Sequence, residues 1–295
     1  MSNLKKKYLK FIKKQEIPGV LFHQKLEQLN DFYLPICKKL FLLFKKKNRQ
    51  LFIGLSGGQG SGKSTIAQIF KLILSSKYRL KVVCFSLDDF YKTAKEREKM
   101  SKSIHPLFMT RGVPGTHDSK MLYNVIKDLK RKKFIKMKIP KFDKSIDDRF
   151  KKNQWQKINS KPDLIILEGW CVGAKPQINK NLFKSVNSLE RKEDEKSLWR
   201  RNVNNELKNN YKKIFKLLDS KIFLKVPSFK YVYKWRLLQE KKLIYKSKRK
   251  LMNNKQIKKF IMHYERITKQ MLKDYKYNDI IININKQHKI KSIVL

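Results

Sequence analysis

Residues 57–65 read Gly57-Gly-Gln-Gly-Ser-Gly62-Lys63-Ser64-Thr65. This stretch has the spacing Gly-x-x-x-x-Gly-Lys-Ser/Thr, in which a glycine-rich turn wraps backbone N–H groups around a phosphate. The apolar run Leu51–Leu55 before it predicts a strand, and Ile66–Leu74 after it predicts a helix. Because a helix N-terminus stabilises an anion, this order predicts a nucleotide-binding loop. Its residues are Gly57, Gly58, Gln59, Gly60, Ser61, Gly62, Lys63, Ser64 and Thr65.

Three side chains of this loop have separate predicted roles. Lys63 is expected to bridge the β- and γ-phosphate oxygens of ATP, and the Ser64 hydroxyl is expected to bind Mg²⁺. Thr65 is expected to contact the α-phosphate. ATP and Mg²⁺ are therefore the predicted cosubstrate and metal.

Four further short apolar runs predict strands that alternate with helices: Lys81–Ser86, Leu164–Leu167, Ile222–Val226 and Ile280–Ile284. Such alternation is typical of an α/β fold with a mostly parallel sheet flanked by helices, in which ligands bind at the carboxyl ends of the strands. The residues that directly follow strands are therefore the first candidates for a site.

The remaining segments suggest one large domain with an appended element. Residues 1–49 show apolar spacings of three and four, broken at Pro18-Gly19, and predict an N-terminal helical extension before a kinase domain over 50–295. Residues 92–120 lack periodicity and predict a long loop above the sheet. The charge-dense stretch 186–212 predicts a solvated helix.

Two carboxylates, Asp88 and Asp89, follow the second predicted strand. Adjacent like charges beside a phosphate loop are unfavourable unless a cation or an acceptor hydroxyl is present. One of them is expected to orient or deprotonate that hydroxyl during phosphoryl transfer. The structural alternative is a helix cap formed by Asp89.

A third carboxylate, Glu168, ends the apolar strand Leu164–Leu167 and precedes Gly169-Trp170. This position predicts that Glu168 lies near Lys63 and holds a magnesium-bound water or the acceptor. A guanine-reading Asn-Lys-x-Asp motif is absent from the sequence, which disfavours a GTPase.

Composition limits the class of partner. The formal net charge is +48, but only 12 of the 72 basic residues are Arg, and the Lys residues are scattered along the chain. Nucleic-acid-binding proteins concentrate their charge on one face, so a small-molecule partner is favoured over nucleic acid. Three widely spaced cysteines and the lack of a long apolar run predict a cytoplasmic protein without disulfides or a membrane span. The sequence does not indicate an oligomeric state.

Together these motifs resemble the phosphoribulokinase and uridine kinase superfamily, and within it the glycerate kinase branch. Five ordered segments carry the resemblance: Ser86–Tyr91, Arg111–Asp118, Pro140–Ser145, Leu167–Trp170 and Tyr233–Arg236. The resemblance implies phosphoryl transfer from ATP to D-glycerate, giving 3-phosphoglycerate, with Asp88 at the position of the proposed base. One departure occurs at Ile146-Asp147-Asp148-Arg149, where the family has a Gly-rich stretch.

The resemblance also implies a set of acceptor contacts. They are Asp89 in a supporting role, Tyr91, Arg111, His117, Asp143 and Arg149. Acceptor and lid elements are expected at about 92–150 and 229–275, where Arg236 would bring a cation to the transferring phosphate and Lys234 is a weaker candidate. A guanidinium that grips a carboxylate agrees with an acidic acceptor. Structural alternatives are an Arg111–Asp118 pair and a hydrogen-bonding role for His117.

Three other functions remain open at this point. A uridine or pantothenate kinase would share Lys63, Ser64, Asp88 and Glu168 and could stack its acceptor on Phe90, Tyr91 or Phe142. A nucleic-acid-dependent P-loop ATPase would use the positive charge, and its binding would weaken steeply with salt. An inactive scaffold is disfavoured because the four motif side chains are intact.

Overall fold

A computed structural model describes residues 3–16, 21–246 and 252–295. The break predicted at Pro18-Gly19 lies outside these ranges. The strands of the described residues are, in chain order, β1 Leu51–Gly57, β2 Val82–Ser86, β3 Met137–Ile139, β4 Phe142–Asp143, β5 Asp148–Arg149, β6 Gln156–Ile158, β7 Leu164–Glu168, β8 Ser220–Lys225, β9 Ile280–Ile284 and β10 Ile290–Val294.

Six of these strands form the central sheet, in the spatial order β10-β9-β8-β1-β7-β2. The pairs from β9 to β2 are parallel, and β10 joins β9 antiparallel. The five strands predicted from the sequence are therefore confirmed, and the mostly parallel sheet with them. The edge strand β10 was not predicted.

The α-helices of the described residues surround this sheet. They are α1 Asn3–Gln15, α2 Lys25–Glu27, α3 Leu34–Lys47, α4 Lys63–Tyr78, α5 Ala94–Ser103, α6 Ser119–Lys130, α7 Lys180–Phe183, α8 Ser188–Glu193, α9 Leu198–Glu206, α10 Lys212–Phe215, α11 Phe229–Lys246 and α12 Asn254–Lys273. Single π-helical segments, Gln28–Tyr33 and Leu207–Tyr211, continue α2 and α9.

Alternate residues of each central strand enter different halves of the core. Ile53 of β1 and Ile166 of β7 pack with α1, α3 and α4, whereas Phe52 and Ile165 pack with α6, α9 and α12. Strands covered on both faces are apolar throughout, which explains the continuous apolar runs. The N-terminal helices thus share one apolar cluster with the helix that follows the phosphate loop.

Two segments differ from their predictions. Residues 92–120 contain the helix α5, which begins with a capping box between Thr93 and Glu96. The prediction of a loop was wrong because α5 buries only Arg97 and so shows no apolar periodicity. In the stretch 186–212, the expected solvated helix is instead two short helices, α8 and α9, and their Glu190 and Arg200 are almost fully buried.

Among the described residues, no helix has the length and apolar character needed to cross a membrane.

Candidate active site

The phosphate loop connects β1 to α4 and leaves polar groups without protein partners. Gly60 and Gly62 have φ values of 74° and 94°, in the region that favours glycine. A Cβ on Gly60 would lie 2.8 Å from the carbonyl carbon of Trp235, so α11 packs directly against the loop. The Ser61 hydroxyl and the Gln59 amide have no hydrogen-bond partner in the described structure. A triphosphate fits these donors and the N-terminus of α4.

Lys63 lies at the first position of α4, and its ammonium donates to the carbonyl oxygen of Gly58 at 3.0 Å. The loss of hydration among the surrounding atoms lowers the pKa of Lys63, and the nearby carboxylates of Glu168 and Asp88 partly oppose that effect. A desolvated ammonium gains from an anionic ligand. Lys63 is therefore electrostatically suited to bind phosphate.

Ser64 and Glu168 contact each other at the carboxyl ends of the parallel strands. The Ser64 hydroxyl donates to Oε1 of Glu168 at 2.7 Å, and burial raises the pKa of this carboxyl above its usual value. Among the described residues, no three His, Cys, Asp or Glu side chains form a metal cluster. Mg²⁺ usually keeps several waters and binds one or two carboxylates plus substrate phosphates, so these two residues fit its needs beside a nucleotide.

Asp88 and Asp89 follow β2 in a short 3₁₀ turn, Leu87–Phe90, but have different surroundings. Asp88 Oδ1 accepts from the Tyr91 hydroxyl at 2.9 Å, and its Oδ2 pairs with Lys144 Nζ at 2.6 Å. Burial opposes ionisation of Asp88, but the Lys144 ammonium outweighs it and lowers the pKa below its usual value. Asp88 is thus an ionised carboxylate at the end of a strand.

Asp89 is buried and makes structural contacts. Its Oδ2 accepts from the backbone N–H of Ser86 at 3.0 Å and from Lys141 Nζ at 2.8 Å. It completes a capping box with Ser86, which is the alternative that the sequence left open.

Two of the predicted acceptor residues stack beside Asp88. The rings of Tyr91 and His117 lie 4.5 Å apart at 21°, and their backbones form an isolated β-bridge. His117 Nδ1 lies 2.6 Å from the Tyr211 hydroxyl, whereas its Nε2 has no partner in the described structure. Burial lowers the pKa of His117 to about 3, so the ring is neutral.

Arg111 is linked to this aromatic pair through the Phe142 ring. Its guanidinium is 5.6 Å from the centre of the Phe142 ring, which in turn meets the Tyr91 ring edge-on at 5.2 Å. Its charge pairs with Asp147, not with Asp118 as the sequence alternative had it. The indole N–H of Trp170, in the Glu-Gly-Trp motif, donates to the carbonyl oxygen of Gly112 at 2.8 Å. This hydrogen bond anchors the loop that carries Arg111.

Arg149 also lies within this region, where hydrogen bonds to Tyr91 and Asp118 hold its guanidinium. It donates from Nε to the Tyr91 carbonyl at 2.9 Å and from Nη2 to Asp118 at 3.3 Å. Asp118 also caps α6 by accepting from Met121. The Asp143 carboxylate accepts from the backbone N–H of Ser145 at 2.7 Å and so shapes the turn that follows β4.

Arg236 follows Trp235 in α11, and the Trp235 backbone lies against Gly60. The Arg236 guanidinium pairs with Glu240 one turn later and lies 5.4 Å from the Phe260 ring centre. The predicted lid cation is therefore on the helix that packs against the phosphate loop.

Three residues at the site were missed by sequence reasoning. Arg97 is 1% exposed and donates to the carbonyls of Lys92, Met109 and Asp147. Lys141 and Lys144 reach Asp89 and Asp88. The scarcity of Arg in this Lys-rich chain was a usable signal for Arg97. Both lysines lie in the segment Pro140–Ser145 that carries the family resemblance, but neither was assigned a role from it.

The fold and this arrangement are those of a P-loop kinase, and comparisons with known proteins agree. The profile of the Phosphoribulokinase / Uridine kinase family matches residues 52–182. The "uncharacterized kinase mug58" of Schizosaccharomyces pombe is 38% identical over 231 residues, which are 75% of this chain and 80% of that protein. The chain therefore belongs to the phosphoribulokinase/uridine kinase family and is an ATP-dependent small-molecule kinase.

Two further comparisons concern proteins named for one acceptor. The chloroplastic D-glycerate 3-kinase of Arabidopsis thaliana is 30% identical over 232 residues, covering 72% of this chain and 48% of that protein. The solved structure of D-glycerate 3-kinase from Cryptococcus neoformans has a TM-score of 0.77 and covers 90% of this chain and 99% of that chain. At 22% identity, that structure shows a shared fold.

Proposed function

We propose that this kinase transfers the γ-phosphoryl group of ATP to D-glycerate and forms 3-phosphoglycerate. One observation carries the proposal: a single four-residue turn, 144–147, contacts both Asp88 and Arg111. A carboxylate that can accept a proton and a guanidinium that can bind a carboxylate are thus within reach of one short turn. A small hydroxy acid has the complementary groups, a hydroxyl for the carboxylate and a carboxylate for the guanidinium. The 30% identity to a D-glycerate 3-kinase supports the same acceptor.

In this proposal the residues act as follows. Lys63 and the loop N–H groups bind the β- and γ-phosphates, and Ser64 and Glu168 hold Mg²⁺. The metal, when bound, neutralises charge on the phosphate oxygens. Asp88 orients the acceptor hydroxyl and takes its proton as the new O–P bond forms, and Arg236 stabilises the transferring group.

The acceptor is held by residues around Tyr91 and Phe142. Arg111 binds its carboxylate, because a guanidinium matches two carboxylate oxygens. Tyr91, His117 and Arg149 form the wall beside it, with Asp143 at the neighbouring turn. Asp89 supports this wall through Ser86 and Lys141.

The test is a coupled ADP-release assay with Mg-ATP and D-glycerate, L-glycerate, uridine, pantothenate or single-stranded RNA, run beside Asp88→Asn. Turnover with D-glycerate that falls at least about a hundredfold in the variant supports both acceptor and base. Turnover with uridine or pantothenate alone contradicts the acceptor. RNA-stimulated ATP hydrolysis would instead favour a nucleic-acid-dependent ATPase.

A further inference from the structure

The turn of residues 144–147 joins β4 to β5 and pairs with two groups of the proposed acceptor site. At its start, Lys144 Nζ lies 2.6 Å from Oδ2 of Asp88. At its end, the Asp147 carboxylate pairs with both Arg111 and Arg97, at 2.8 Å for Arg97. Between them, the Ile146 side chain is 67% exposed. The turn thus presents an ammonium to the proposed base and a carboxylate to the proposed carboxylate-binding guanidinium.

We propose that Asp147 is a specificity-determining residue that makes the release of Asp88 conditional on an acceptor carboxylate. The inference rests on the proposed function, since it takes D-glycerate as the acceptor. When the acceptor carboxylate binds Arg111, it replaces the Asp147 carboxylate there. The turn then loses its contact with Arg111 while Arg97 still holds Asp147, and Lys144 leaves Asp88 for the acceptor hydroxyl to take its place.

The short length of the turn couples these two contacts. The flanking strands have two residues each, paired Phe142 with Arg149 and Asp143 with Asp148. In so short a loop, release of the Asp147 side chain from Arg111 therefore lets Lys144 and the adjoining residues move while the Asp147 carbonyl stays bound to Arg97. Asp147 has a φ of 58°, a left-handed conformation that only Gly, Asn and Asp adopt readily. The backbone at position 147 therefore suits Asp, Asn or Gly.

Arg97 provides a fixed point for the movement. Its guanidinium donates to the carbonyls of Lys92 and Met109 at 3.2 Å and 2.7 Å, as well as to the Asp147 carbonyl. These bonds to main-chain oxygens persist if the Asp147 side chain moves or loses its charge. Arg111, which is about one quarter exposed, is the cation that an incoming carboxylate can reach.

The consequence is discrimination against water as a phosphoryl acceptor. Without acceptor, the Lys144 ammonium is paired with the Asp88 carboxylate, so the carboxylate cannot orient a water toward ATP. With acceptor, the C3 hydroxyl gives its proton to Asp88, its oxygen forms the bond to the γ-phosphorus, and the bond to the β–γ bridging oxygen breaks to release ADP. An uncharged molecule such as glycerol cannot replace Asp147 on Arg111 and so does not free Asp88.

The test compares Asp147→Asn with its neighbour Asp148→Asn. Both changes remove one negative charge, but the Asp148 carboxylate accepts only from the Arg149 backbone N–H among the hydrogen bonds of the described structure. Asn keeps the left-handed backbone and an acceptor oxygen for Arg97. Asp147→Gly is a second variant that suits the same φ if Asn disturbs folding.

Three quantities are measured for each protein: ATP hydrolysis without acceptor, KM for D-glycerate and kcat. In Asp147→Asn we expect acceptor-free hydrolysis to rise, and KM to fall, by roughly three- to tenfold each, the size of one partly exposed ion pair. The kcat should stay within about twofold, and Asp148→Asn should match the wild type. A merely structural defect would lower turnover and could not raise hydrolysis while lowering KM.

Two outcomes overturn the inference in distinguishable ways. If the wild type phosphorylates D-glycerate but Asp147→Asn and Asp148→Asn behave alike, the proposed function stands and the role of Asp147 is wrong. If the wild type uses uridine or pantothenate and not D-glycerate, the proposed function is wrong and the inference fails with it.

Discussion

The hydroxyl of Ser64 donates a 2.7 Å hydrogen bond to the carboxylate of Glu168, which joins the first turn of α4 to the end of β7. These residues are 104 positions apart in the chain. The parallel pairing of β1 with β7 brings them together, because it places Leu55 opposite Glu168. The same pair is our proposed protein contribution to the magnesium site, and it yields the first prediction.

We expect Glu168→Gln to raise the Mg²⁺ concentration at half-maximal turnover by about 10- to 100-fold. Gln can still accept the bond from Ser64 but carries no charge for the metal. A titration of ADP release against Mg²⁺ at fixed ATP measures this shift. Thr65→Ala is the matched control in the same loop, and an unchanged Mg²⁺ dependence in Glu168→Gln would contradict the metal role.

Lys63→Met should greatly reduce activity without loss of stability. Its half-buried ammonium has a lowered pKa, which means that the folded protein disfavours the charge in the absence of phosphate. We expect turnover to fall by about 100- to 1000-fold and the melting temperature to stay equal or rise. Lys77→Met, at the exposed end of the same helix, is the control. A variant that melts well below the wild type would show that Lys63 is structural instead.

Arg236→Ala should lower kcat more than it raises KM for either substrate. The reason is that a lid cation acts mainly on charge that develops in the transition state. Steady-state kinetics with both substrates varied gives the two constants, and we expect a kcat loss of at least about 100-fold. Lys234→Ala removes an exposed charge from the same helix. Equal losses in the two variants would argue for a general effect of positive charge.

His117 should make the protein less stable in acid. Its pKa is lowered from 6.5 to about 3 by burial, so the unfolded chain binds a proton that the folded chain does not. The stability from this group is complete above about pH 6.5 and is lost as the pH falls toward 3, by at most about 1.4 kcal/mol per pH unit.

The matching measurement is urea unfolding of the wild type and His117→Gln between pH 7 and 4. We expect the free energy of unfolding to fall less steeply with acid in the variant. The difference between the two proteins isolates His117, because the buried His263, whose pKa burial also lowers, is present in both. Parallel curves would mean that His117 is protonated or exposed in the folded protein.

Glu190 should be among the side chains most important for stability outside the site. It is 1% exposed and receives hydrogen bonds from Arg266 at 2.8 and 2.6 Å. Glu190→Gln leaves Arg266 without a counter-charge in the protein interior and should cost about 3 kcal/mol of unfolding free energy. Glu193→Gln breaks the exposed pair with Lys259 and should cost less than about 1 kcal/mol. Similar losses in both would contradict the importance of burial.

The sheet and the phosphate loop could be predicted because their signals are local. Strands such as Leu164–Glu168 are apolar over their whole length, and a glycine-rich loop between strand and helix has few other uses. The strand Ile290–Val294 was missed because it lies at the edge of the sheet and its apolar residues are interrupted by the exposed Lys291 and Ser292. A short run of that kind does not differ from a loop in sequence alone.

The ion pairs of the site could not be predicted, because they depend on side chains brought together by tertiary packing. Arg111 pairs with Asp147, 36 residues away, and Arg149 pairs with Asp118. Sequence proximity within the motif had suggested Arg111 with Asp118. Likewise, the charges of 186–212 are typical of a solvated surface, but Arg266 of α12 covers Glu190 and makes that position part of the interior.

The strand that leads into the phosphate loop has a consequence for biosynthesis. β1 ends at Gly57, but its two neighbours in the sheet, β7 and β8, end at Glu168 and Lys225. During translation, β1 is therefore synthesised more than about a hundred residues before either of the strands that pair with it is complete. Until then the apolar strand β1 lacks both of its neighbours in the sheet. Chaperone dependence of the nascent chain should consequently fall only after β8 has left the ribosome.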